Sequence, residues 1–309
     1  AVIEVTDGEK TAELTVEVAT AGLTYETLSA EDADGNAYEY VQVSDGEGRT
    51  STDVYIPGYR YMEDAAEGEG ALLPVTIIKA APNGPGDLPT TSGGAFTNNN
   101  NIVSVYLGDN VVTVGASAFM DCRELTKVVC GPALKSIGRG AFGSSNGSTA
   151  NACAKLTQFD SSKATTLLNV EGAAFRFSGL TEFVFPESCE FIGDSVFMGC
   201  EKLETVKILS EKVTKLWGST FLNCACRGLK TLWLPASIVE IGAMDFGDYN
   251  GVPSEGVALD IYYSGTEQQY SAISINSTLN DTIKPSANSK LQIHYNSNFA
   301  EMLEAEKGE

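Results

Sequence analysis

Histidine is almost missing from this 309-residue chain, which has one, and tryptophan occurs only twice. With His294 as the sole imidazole, most pairings of a nucleophile with a base are excluded unless His294 is itself the base. A packed or surface role is expected for it instead. Basic residues are few, 20 Lys and Arg against 41 Asp and Glu, so the formal net charge is −21. A polyanion of this kind repels nucleic acid and anionic lipid, and neither is expected as a partner. The acidity is uneven: residues 1–70 hold 17 acidic residues against Lys10, Arg49 and Arg60, a net of −14. No run of about 18 apolar residues exists, so no membrane-spanning helix is expected. Ala1 does not open a signal peptide, and an exported protein of this sequence is expected to have had its signal removed.

Seven cysteines cannot all pair within one chain. Cys122, Cys153, Cys200 and Cys226 each stand three residues before a leucine (Leu125, Leu156, Leu203, Leu229), and a repeated C-x-x-L phrase implies buried thiols at equivalent points better than a disulfide framework. Cys224 and Cys226 form a C-x-C with no second ligand pair, which argues against zinc. Asp32-Ala-Asp34-Gly-Asn36 has its glycine at the wrong place for a calcium loop and reads as a hairpin turn. No metal or cofactor is expected.

What the chain does have is a repeat. From Ile102 the apolar triplets Ile102/Val105/Leu107, Leu125/Val128/Cys130, Leu156/Phe159/Ser161, Leu180/Phe183/Phe185, Leu203/Val206/Ile208 and Leu229/Leu232/Leu234 recur at spacings of 23, 31, 24, 23 and 26. A second apolar point (Val114, Ile137, Val170, Ile192, Leu216, Ile241) stands five residues before Phe119, Phe142, Phe175, Phe197, Phe221 and Phe246. A unit this short cannot bury its own apolar residues, whereas stacked units share one core with parallel strands about 4.8 Å apart. The glycines after the second apolar point (Gly115, Gly138, Gly193, Gly242) predict a sharp bend before the A-F segment, itself expected to be a short 3₁₀ or α turn. Before the array, alternating runs at Leu14, Val16 and Val18 and at Tyr38, Tyr40 and Val41 predict strands, with Asp-Gly turns at Asp7, Asp34 and Asp45. Val54, Ile56, Pro74, Val75 and Ile78 outline a degenerate first turn closed at Phe96. The Pro82–Asp87 loop and the Asn98–Asn101 tract are expected to be exposed and mobile.

The phrase I-G-x-x-A-F-x-x-C-x-x-L, nearly whole at Val114–Leu125 and Ile192–Leu203, resembles the BspA-like branch of the leucine-rich repeat family. The run Ile261–Ile273, with Ile293–Ser297, resembles the family's terminal cap, Tyr270 standing where tryptophan is usual. The resemblance implies a mainly β, right-handed leucine-rich repeat solenoid with short 3₁₀ or α turns. Its expected parts are an N-terminal β-hairpin cap over 1–52, about seven turns over 53–258, a C-terminal cap over 259–297 and a tail over 298–309. In the tail, Phe299, Met302 and Leu303 lie at helical spacing and predict a short docked or frayed helix.

Residues between the core positions of each L-x-x-L-x-L strand point outward, which gives the row Tyr55, Tyr106, Val129, Asp160, Val184, Lys207 and Trp233. Aromatics at both ends of such a row suit a binding face, and strand propensity alone accounts for them equally well. The family resemblance implies a non-enzymatic, exported or surface-attached bacterial protein that binds a protein or glycoprotein, such as a host matrix component or a partner cell. A polymer-acting hydrolase would need paired acids in a cleft, and a scaffold without an external ligand would have a plain polar face.

Overall fold

The computed structural model describes every residue except 1, 7–10, 16–20, 32–36, 64–69, 81–92, 146–148, 225–227, 247–257, 286–287, 289 and 308–309. The Asp32–Asn36 turn, the Pro82–Asp87 loop and Cys226 therefore lie outside the described residues. Two parallel sheets carry the L-x-x-L-x-L residues. Asp53–Ile56, Ser104–Leu107, Lys127–Val129 and Gln158–Asp160 make the first. Glu182–Phe185, Thr205–Ile208, Thr231–Leu234, Leu259–Tyr263 and Leu291–His294 make the second. The degenerate turn joins in register, Val54 beside Val105 and Ile56 beside Leu107.

Two-residue strands at the second apolar point form the other layer. Thr113–Val114, Ser136–Ile137, Asn169–Val170 and Phe191–Ile192 continue through Gly70–Ile78 into the hairpin Leu23–Glu31/Ala37–Asp45. The hairpin thus covers the open end of the stack, and Val41, Val43, Val75 and Ile78 are fully buried where it does so. A further hairpin, Val2–Thr6/Thr11–Thr15, precedes it. At the other end, the helix α1 (Glu267–Ser271) opens with a capping box of Thr266 and Gln269. Tyr270 is buried there and its hydroxyl donates to the Ile283 carbonyl at 3.0 Å, as befits the residue read as the cap's aromatic.

Between the layers runs a column of phenylalanines. Phe96, Phe119, Phe142, Phe175, Phe197, Phe221 and Phe246 follow one another with ring centres 4.8, 5.3, 5.6, 5.9, 5.8 and 5.2 Å apart. Their backbone is laddered too: Phe96, Phe119, Phe142, Phe175, Phe197 and Phe221 each donate N–H to the next turn's carbonyl, at 2.7 to 3.1 Å.

Two expectations about this segment are corrected. It is neither an α nor a 3₁₀ helix. The residue two before each of the six phenylalanines after Phe96 (Ser117, Gly140, Ala173, Ser195, Ser219, Met244) is left-handed, with φ between 55 and 67°. Its N–H and that of the phenylalanine then both point along the stack, while the N–H between them closes a local turn, as from Ala118 to the Gly115 carbonyl. A continuous helix would turn all of these donors inward and leave neighbouring turns unlinked. Nor do the preceding glycines make the bend. A Cβ at Gly115, Gly138, Gly193 or Gly242 would lie 2.5, 2.6, 2.3 or 2.7 Å from a backbone nitrogen of the previous turn, so glycine is required there by close stacking.

The third correction concerns sulfur. Cys122, Cys153 and Cys200 donate to the carbonyls of Phe96, Phe119 and Phe175, and Cys224, which the C-x-x-L count leaves out, belongs to the same series, donating to Phe197. All six described cysteines are free and buried, and burial pushes the Cys122 and Cys189 thiols up to about 12. Of the Asn98–Asn101 tract, Asn99 is tied down, its side-chain amide donating to Asp45.

Because Phe197 touches Phe175, Phe183, Phe185 and Phe221, truncating it opens a cavity with walls held on every side. Phe197→Ala is expected to cost about 3–5 kcal/mol. A denaturant titration that moved by less than about 1 kcal/mol would contradict the column. Thiol counting tests the sulfur row separately: Cys122, Cys130, Cys153, Cys189, Cys200 and Cys224 should react only after unfolding. Any of them found in a disulfide in the native protein would overturn the assignment.

Candidate binding face

The outward row exists as cross-strand neighbours, in two halves. Tyr55 pairs with Tyr106, Tyr106 with Val129 and Val129 with Asp160. Val184 pairs with Lys207, Lys207 with Trp233, Trp233 with Tyr262 and Tyr262 with His294. Asp160 and Val184 belong to separate sheets, so the row parts between them.

The first half is open. Tyr55 and Tyr106 stack in parallel, ring centres 4.5 Å apart and planes within 4°, because in-register pairing puts their Cβ atoms side by side. Tyr55 is 44% exposed, and the Lys127 Nζ lies 5.8 Å from the Tyr106 ring centre. Asp160 is exposed and accepts from the Ser162 hydroxyl and N–H at 2.6 and 3.0 Å. Those bonds hold its carboxyl below the usual range, so it is a fixed negative charge.

The second half is covered, which corrects the expectation that Trp233 faces solvent. Trp233 is 2% exposed. The helix α2 (Phe299–Lys307) lies over it, with Phe299 stacked on its indole at 5.2 Å between ring centres. Lys207 is sandwiched in the same contact. Its Nζ lies 4.5 Å from the Trp233 ring centre, it pairs with Glu306, and its side chain keeps only 12% exposure. Beyond α2, where the sheets part, a groove of about 870 Å³ is lined by Lys127, Phe159, Asp160, Phe183 and Val184 and edged by Leu303 and Lys307 of the helix.

Little else among the described residues has the makings of a reactive centre. His294 stacks on Tyr262 at 4.5 Å, and its Nε2 lies 3.0 Å from an Asp260 carboxylate oxygen, a packing role at the end of the row. Among the described residues, no group of three or more His, Cys, Asp or Glu could hold a metal ion. Among the described residues, one carboxyl is shifted towards neutrality. Burial pushes Asp245 up to about 7 against the opposing bond from the Thr220 N–H at 2.8 Å, but the residue is wholly inaccessible, in the alanine place of its A-F segment. A substrate has no path to it.

A family model described as the BspA type leucine rich repeat region matches in six copies across residues 83–164 and 168–254, more than half of the chain. The chain belongs to the BspA-type leucine-rich repeat family. Among solved structures, a leucine-rich repeat protein from Bacteroides ovatus is similar to this BspA-type chain with a TM-score of 0.52 and 18% identity, over 92% of this chain and 71% of that one. A leucine-rich repeat protein from T. pallidum is similar with a TM-score of 0.48 and 16% identity, over 86% of this chain and 96% of that one. At 18% identity the first of these shows the fold alone. None of the curated proteins compared with the sequence matches it. No helix among the described residues is long and apolar enough to cross a membrane.

Sequence reasoning missed three parts of this BspA-type face. Tyr262 and His294 extend the row, and the register of the cap strands was the signal for them. Lys127 is reached only through the fold. The helical stripe of Phe299, Met302 and Leu303 was visible, and its landing place was not.

Asp245 also makes a prediction about pH. Its folded pKa lies above the ordinary carboxyl value of about 3.9, so the folded state binds the proton more tightly than the unfolded state. Stability is therefore gained below about pH 4 and lost as pH rises towards 7, by up to ~4 kcal/mol. Asp245→Asn should remove this slope. Denaturant midpoints at pH 5 and pH 8 isolate it, since the general charge repulsion is common to both proteins; parallel profiles would show that Asp245 is not buried as a titrating acid.

Proposed function

We propose that this chain is a non-enzymatic binding protein, exported or attached to a bacterial surface, whose sheet face holds a protein or glycoprotein partner such as a host matrix component or another cell. The single observation that supports it best is the Tyr55–Tyr106 pair with Lys127 beside it. Side chains already ordered on a rigid parallel sheet lose little entropy on binding, and aromatic and cationic groups make the strongest anchors. Val129 and Asp160 continue this open half, and Val184, Lys207 and Trp233 are the covered half of the same proposed surface. Family membership supports the surface location, and the strong negative charge suits a protein that must stay soluble outside the cell.

The test is a binding screen against matrix proteins and glycans, followed by substitution. Tyr55→Ala with Tyr106→Ala is expected to weaken the partner found by tenfold or more, about 1.4 kcal/mol, with the thermal midpoint kept within a few degrees. Trp233→Ala behaves differently, because it removes a buried indole and should lower stability by about 2 kcal/mol. Affinity that survives the tyrosine substitutions and disappears when residues 1–50 or the Pro82–Asp87 loop are removed would place the binding surface elsewhere.

A further inference from the structure

The helix on the covered half is held from one side only. None of its residues is fully buried: Phe299, Met302 and Leu303 are half-buried and the rest are exposed. Nine residues are too few for a stable helix in water, so α2 owes its helicity to the sheet beneath it. Conversely, the burial of Trp233 and Lys207 depends on α2. The contacts have a simple spacing. Phe299 meets Trp233, Met302 and Glu306 line a gap with Lys207 and Tyr262, and Leu303 borders the 870 Å³ groove. That is an aromatic at i, aliphatics at i+3 and i+4, and a carboxylate at i+7, which is how an amphipathic helix is read by a groove. The groove reaches from Leu303 and Lys307 to Phe159 and Lys127, where the two sheets part.

We propose that the face formed by Val184, Lys207, Trp233 and Tyr262 is a docking site for an acidic amphipathic helix of a partner protein, with α2 as a resident occupant that the partner displaces. The occupant's chemistry fixes the partner's. Lys207 needs a carboxylate, as Glu306 supplies, and Trp233 needs an aromatic ring, as Phe299 supplies. A partner helix that also reaches Phe159 and Lys127 makes contacts that residues 299–307 do not, which offsets the advantage α2 holds by being tethered. The inference deepens the proposed function and rests on it only in taking the sheet face as the binding face.

The test uses the full chain with Trp217→Phe, which leaves Trp233 as its single tryptophan. Acrylamide quenching then reports whether Trp233 is covered. Adding Phe299→Ala and Glu306→Ala undocks α2 without touching the repeat core, and quenching is expected to rise severalfold. A synthetic peptide of residues 297–307 should restore protection saturably, and the chain with intact α2 should need at least about tenfold more of it, because its tethered helix competes at an effective millimolar concentration. Lys207→Glu should abolish the peptide's effect, and a peptide carrying Glu306→Lys should recover it. Trp233 equally protected in the undocked chain, or a peptide that fails to restore protection, would overturn the proposal. The two readings fail separately. A peptide that binds as expected while the matrix and glycan screen stays empty supports the docking site and sinks the adhesion role. A partner that needs Tyr55 and Tyr106 while Trp233 ignores α2 does the reverse.

Discussion

The column of phenylalanines with its backbone ladder is what the other elements depend on. The first strand sheet ends at Asp160 and the next begins at Glu182, and the short-strand layer is likewise divided between Ile192 and Lys215. The column crosses both gaps: Phe175 and Phe197 remain 5.9 Å apart, with the Phe175 N–H donating to Val196, and Phe197 and Phe221 are 5.8 Å apart, with the Phe197 N–H donating to Thr220. At the first gap Phe159, Phe183 and Phe185 thicken it with tilted and edge-on contacts. Extra aromatic volume thus stands where sheet hydrogen bonding is interrupted, and one continuous core runs through two sheets.

That column imposes requirements on the residues around it. Left-handed positions before the six phenylalanines after Phe96 aim alternate N–H groups along the stack, at a local cost repaid by hydrogen bonds between turns. The glycines after the second apolar point allow the turns to approach closely. The thiols donate to phenylalanine carbonyls that already accept a local N–H, as Phe119 does from Cys122 and Phe197 from Cys200, so a small apolar group with one weak donor fits where a hydroxyl would bring more polarity into the core.

Most of this frame could be read from periodicity, because each turn repeats the same burial problem. The errors arose where a repeat was measured from one end only. Counting back from Leu229 selects Cys226, whereas counting three forward from the phenylalanine, as Cys122 follows Phe119 and Cys200 follows Phe197, selects Cys224; two extra residues before Leu229 make the counts disagree. The bend was assigned to glycine on conformational freedom, when the constraint was space. The outward parity of Trp233 was right and its exposure was wrong, since strand alternation says which side a residue faces and nothing about a distant segment that returns to cover it. A helical stripe announces that α2 docks, and only the fold says where.

In-register stacking also explains how charge is distributed. Equivalent residues of successive turns lie within about 5 Å, so a repeated acid would face itself all along the solenoid. The repeats alternate sign instead: Glu124 with Lys155, Glu190 with Lys212, Glu204 with Lys230 and Glu240 with Lys215 pair between successive turns at 2.6 to 2.9 Å. Each exposed pair adds only ~0.2–1 kcal/mol, but a like-charged pair at the same place would subtract a similar amount at every step. The counts follow the constraint. Residues 102–258 carry 16 acidic and 13 basic residues, a net of −3, whereas the first 70 carry −14. The excess acid is concentrated ahead of the regular turns.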